Sequence, residues 1–138
     1  MSNRSHSLLE IRPVIPTTVT NPNMGTDERF QNKILLPIIK MQNPLLILAF
    51  RNYIAKYKNT FYALGPEKRL DFIENSIQKD IKFKIFLKGV VVGQFTEEEY
   101  EIYVRNLSAL NKRITKIIIE CLKEQVQLFG PEHACPSV

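Results

Sequence analysis

The sequence predicts an all-α fold: an irregular bundle of about five helices, with a long C-terminal helix and a flexible N-terminal arm. Three observations carry this expectation. An apolar seam of Tyr100, Tyr103, Leu107, Leu110, Ile114, Ile117 and Cys121 alternates steps of three and four residues. That rhythm keeps one helical stripe facing a partner surface over about six turns. Helix-start signatures stand at Thr26, Asn43-Pro44, Gly65-Pro66 and Thr96-x-x-Glu99, each followed by apolar residues at helical spacing. Only one short stretch, Ile81-Lys82-Phe83-Lys84-Ile85, alternates as a strand does.

The boundaries follow in chain order. Residues 1–25 read as the flexible arm, because Pro13, Pro16 and Pro22 break any period and threonines and asparagines punctuate the rest. Leu8, Leu9, Ile11, Val14 and Ile15 are the part of the arm apolar enough to dock. A single domain is expected over 26–130, with 131–138 as a C-terminal tail. Thr26 is expected to cap a first helix over 27–42, with Asp27 and Glu28 placed favourably against the helix dipole. Pro37 should kink or stop that helix, since it lacks the amide hydrogen. Asn43-Pro44 reads as a restart, giving a second helix to about residue 58 with Leu46, Phe50, Tyr53, Ile54 and Tyr57 on one face.

Pro66 and Glu67 open a third helix ending near Lys79 or Asp80, with Leu70, Ile73 and Ile77 inward. For 81–94 the helical periods Phe83-Leu87-Val90 and Ile81-Ile85-Val92 outweigh the strand alternation. Apolar residues nearly all round make this a central, buried helix. Gly89 and Gly93 share a face there, which fits either close approach of another backbone or a helix end. Thr96 and Glu99 form a capping box, with Phe95 and Tyr100 as a hydrophobic staple. One helix of about 50 Å is expected over 97–129, because the seam keeps its phase across the weak helix formers Asn106 and Ser108.

Composition narrows the function classes. The chain of 138 residues carries a formal charge of +5. The excess is spread: +1 over residues 1–25, +4 over 26–65, +2 over 66–95 and −2 over 96–138. No run of consecutive basic residues reads as a nucleic-acid arm. The glycine-rich phosphate-binding patterns are absent from the sequence. The opening MSNRSHSLLEIRPVIP lacks a continuous apolar core, and the stretch Leu45–Phe50 is far short of the ~20 residues of a membrane span. With only Cys121 and Cys135, a cytoplasmic location with reduced thiols is expected.

Catalytic residues are not apparent. The two histidines, His6 and His133, lie in opposite terminal segments, away from any positioned nucleophile. Cys121 sits on the seam as a core thiol. His133-x-Cys135 offers two of the four ligands a structural zinc needs, so no metal is expected. The run Glu97, Glu98, Glu99 and Glu101 reads as a solvated helix start. Lys112, Arg113 and Lys116 make a basic patch on the outer side of the long helix, and Lys79, Lys82, Lys84 and Lys88 make a second basic stretch.

The runs KGVVVGQF at 88–95 and FTEEEYEIYVRNLSALNKRI at 95–114 resemble an uncharacterised family of small Bacteroidetes proteins, a likeness covering about 26–129. Members are sometimes labelled glyoxalase. That label implies a βαβββ fold with His and Glu metal ligands on strands, whereas this chain has helical periodicity and no histidine between 7 and 132. The resemblance therefore assigns no functional residue.

The expectation is a helical protein-interaction or structural module without catalytic activity or cofactor, with another protein or a second copy as partner. Self-association would run through the C-terminal helix, with Tyr100, Tyr103, Leu107, Leu110, Ile114 and Ile117 as the seam. The alternative is a nucleic-acid-associated regulator using Lys112, Arg113 and Lys116. A salt-sensitive affinity would distinguish it.

Overall fold

The computed structural model describes residues 1–15 and 23–130. Residues 16–22 and the expected tail 131–138, with His133 and Cys135, lie outside the described part. The protein is all-α, and no strand occurs among the described residues. The elements are α1 (Asn3–Ile11), α2 (Thr26–Phe30), a π-helical turn (Gln31–Leu35), α3 (Leu36–Ala55), α4 (Lys58–Phe61) and α5 (Pro66–Lys79). They continue with α6 (Ile81–Val92), α7 (Glu97–Arg105), α8 (Leu107–Glu124) and a 3₁₀ turn (Val126–Phe129).

Residues Thr26–Ala55 form one continuous helical rod, not the two helices expected. Gly25 takes the cap position expected of Thr26. The π turn ends two residues before Pro37, where a widened turn relieves the clash a proline ring makes with the turn behind it. The helix also runs through Asn43-Pro44 without a restart. Asn43 does not cap, because its amide exchanges two hydrogen bonds with Gln125, at 2.9 and 2.7 Å. Pro44 and Lys40 are both exposed, so the carbonyl left without a donor lies on the wet side of the helix. The rod is long and apolar enough to cross a membrane by length and composition. One face of it, Ile38, Ile39, Leu46, Ile47, Phe50 and Ile54, is buried in the protein's own core.

Against that face pack α6 and α8, and α5 packs on both of these. Ile73 and Ile77 from α5, Leu87 and Val91 from α6, and Leu110, Ile114, Ile118 and Leu122 from α8 complete one core. Phe50 links it to the 3₁₀ turn through Phe129, with ring centroids 5.0 Å apart. The helix over 81–92 forms as expected, and its start is fixed twice. Asp80 accepts a hydrogen bond from the Phe83 amide at 3.2 Å and another from the Tyr53 hydroxyl at 3.0 Å. Burial, with Asp80 beside it, pushes the Tyr53 hydroxyl pKa well above its ordinary value. This helix is not central and buried, however. Ile81 is 68% exposed, Ile85 58% and Phe86 52%. Gly93 ends it as a C-cap, and open space surrounds Gly89, so no second backbone approaches there.

The expected single helix over 97–129 is broken at Asn106, whose backbone leaves the helical region at φ −140° and ψ 51°. Its side-chain amide reaches both oxygens of Asp27 at 2.7 Å. Asn106 thus trades helix continuity for a tie to the start of α2. Part of the expected arm forms a helix. Residues Asn3–Ile11 are helical, capped by the Ser2 hydroxyl accepting from the Ser5 amide at 3.0 Å.

Candidate functional site

The structure divides the seam into buried and exposed members. Leu110, Ile114 and Ile117 of α8 are buried in the protein's own core. Tyr103 is buried on α7, where its ring meets Phe95 edge-on at 5.3 Å and its hydroxyl donates to the Asn111 Oδ1. Tyr100 and Leu107 are about half exposed instead. The break at Asn106 does not separate the two sets, since Tyr103 before it is buried and Leu107 after it is exposed; Tyr103, Leu110, Ile114 and Ile117 serve folding, while Tyr100 and Leu107 face outward. Cys121 is half-buried, and burial together with Glu124 and Glu120 raises its thiol pKa.

Two helix faces keep large apolar side chains in water. On α6 these are Ile81, Ile85 and Phe86, and on α7 they are Tyr100 and Val104, continued by Leu107; Ile102, two positions from each, is exposed on the other side of α7. The two faces differ in charge. Helix α6 carries Lys82, Lys84 and Lys88 and no acidic residue, whereas α7 carries Glu97, Glu98, Glu99 and Glu101 against Arg105 alone. Reading α6 as a buried helix hid its outer face, because apolar residues all round a helix give no sign of which side meets water.

The acidic start of α7 is not simply solvated. The capping box forms, with the Thr96 hydroxyl accepting from the Glu99 amide at 3.1 Å and Glu99 Oε1 accepting from the Thr96 amide at 2.9 Å. Around it closes α1. The Ser2 and Ser5 hydroxyls each donate to Glu97 at 2.7 Å. Arg4 donates to the carbonyls of Phe95 and Gly93 at 2.8 and 2.9 Å. Arg12 holds Glu99 and the Gln94 carbonyl. The Ser2 and Ser5 hydroxyls lead in holding the Glu97 carboxyl down at about 2, and Arg4 adds to them. Arg4 and Arg12 recur eight apart in the sequence, but their partners lie about ninety positions away and no local signal joins them.

The basic residues are also redistributed. Arg113 turns to the π turn and donates to Gln31 at 2.9 Å. Lys116 is exposed. Lys112 instead joins Lys84 and Lys88 in a cleft of about 300 Å³, lined further by Gln78, Ser108, Asn111 and Thr115. Two basic stretches read separately along the chain therefore meet at one place. Among the described residues no three His, Cys, Asp or Glu side chains gather as metal ligands do.

No family model, no curated protein and no solved structure matches the chain.

Proposed function

We propose that this protein is a non-catalytic helical interaction module that associates with a second copy of itself. The supporting observation is the pair of unpartnered apolar faces of opposite charge on α6 and α7. Of the C-terminal seam, Tyr103, Leu110, Ile114 and Ile117 are consumed by the core, so the contact uses Tyr100 and Leu107 together with Ile81, Ile85 and Phe86. A two-fold arrangement setting α6 of each copy against α7 of the other would use both faces twice, as an isologous interface requires. Apolar burial supplies most of the free energy, and the lysines opposite Glu98 and Glu101 fix the register and speed association. Pairing α6 with α6 instead would oppose like charges.

Zero-length carboxylate-to-amine crosslinking of mixed light and heavy isotope-labelled protein tests this. The expected product is a mixed-isotope link between Glu98 or Glu101 and Lys82. Links of a single isotope only, at concentrations where the protein is not aggregated, would overturn the reading.

A further inference from the structure

We propose that the cleft between α5, α6 and α8 is a binding site for a phosphate-bearing ligand, whose phosphate Lys84, Lys88 and Lys112 hold. The three lysines line one cavity of about 300 Å³ together with Gln78, Ser108, Asn111 and Thr115, and no carboxylate shares the lining. That volume is at the lower end for small-molecule sites and suits a compact phosphorylated ligand.

The arrangement is costly without an anion. Lys84 and Lys88 are four apart on one helix, a spacing at which like charges repel. Lys112 adds a third positive charge from the facing helix. Among the described residues none of the three makes an ion pair, although Arg4, Arg12 and Lys123 do. Lys84 reaches only the neutral Gln78 Oε1, at 3.4 Å. A phosphate, with its delocalised negative charge and several acceptor oxygens, answers this donor set. The remaining lining groups are neutral donors. Asn111 has given its Oδ1 to the Tyr103 hydroxyl, which leaves its amide nitrogen as the group it can offer a ligand. Ser108 and Thr115 contribute hydroxyls at the same wall. The cleft does not depend on self-association.

Inorganic pyrophosphate is the probe, titrated at fixed ionic strength and followed by amide chemical shifts in uniformly labelled protein. Saturable shifts confined to 78, 84–88 and 108–115 are expected, with a Kd of about 1 mM or tighter. The double variant Lys84→Gln, Lys112→Gln should weaken binding by at least about tenfold. Its melting temperature without probe should stay level or rise, because a repulsion has been removed, a result that a structural role for these lysines would reverse. Lys68→Gln, on the exposed side of α5, should bind as the parent does. A titration without saturation, or one the double variant leaves unchanged, would overturn the site. A short single-stranded oligonucleotide forms the second arm. Tighter binding of the oligonucleotide, with shifts spreading to Arg113 and Lys116 and an affinity falling steeply with salt, would replace the small-ligand site with a nucleic-acid surface.

Discussion

Arg12 and Glu99 form a two-point ion pair across 87 residues of sequence, at 2.6 and 2.8 Å. Their side chains are only 8% and 12% exposed. The same carboxylate closes the capping box of α7, so one Glu side chain starts a helix and anchors the N-terminal segment. Screening is weak at this burial, and the planar guanidinium matches the carboxylate without further ordering. Arg12→Ala should therefore cost about 2–4 kcal/mol in the attachment of α1. Hydrogen exchange of the amides over 3–11 should accelerate, while the amides of α3 and α8 keep their protection.

The attachment should also depend on pH, with a definite sign. Glu97 is held at about 2 against its ordinary 4.5, first by the Ser2 and Ser5 hydroxyls. A carboxyl with a lowered folded pKa stabilises above its unfolded value, and the contribution disappears as pH falls toward the folded one. The α1 contact should thus be complete at neutral pH and fade between about 4.5 and about 2. Exchange protection of the Ser5 amide, measured across that window, should follow the loss. Ser5→Ala should move it to higher pH.

Core and outer positions of α8 should respond differently. Ile114 is fully buried, and truncation to Ala should cost about 2–5 kcal/mol by transfer and cavity terms. Lys116→Ala, at an exposed position two residues along the same helix, should cost about 0.5 kcal/mol or less. Urea denaturation of the two variants decides it.

Pro44 offers a test in the opposite direction. It sits inside α3, exposed, where it removes a helical hydrogen bond to Lys40. Pro44→Ala restores that bond and should stabilise the protein by about 1–3 kcal/mol, the gain being reduced by the freer unfolded chain. A raised denaturation midpoint with an unchanged slope is the expected result.

Local rules carried part of the fold. The capping box at Thr96, the Gly65-Pro66 start and the buried Ile73 and Ile77 are all short-range signals, and all appear where the sequence implies them. The rest depends on partners distant along the chain. Asn43-Pro44 has every local mark of a helix start, yet Gln125 occupies Asn43 and core packing on both sides carries the helix through. Asn106 breaks a helix whose seam keeps its phase, because Asp27 waits across the fold. The N-terminal helix is held by the acidic start of α7, which composition alone reads as solvated. The cationic cleft escaped for the same reason, since Lys84 and Lys112 become neighbours only when α6 and α8 pack.

The molar mass in solution tests self-association most directly. Sedimentation equilibrium over a range of concentrations should show the 16.0 kDa chain in exchange with a species of twice that mass. Phe86→Asp and Leu107→Asp, each placing a charge on an exposed apolar face, should return it to the single-chain mass with helicity and melting temperature kept. A parent that remains at the single-chain mass throughout, or variants that associate as the parent does, would contradict the account.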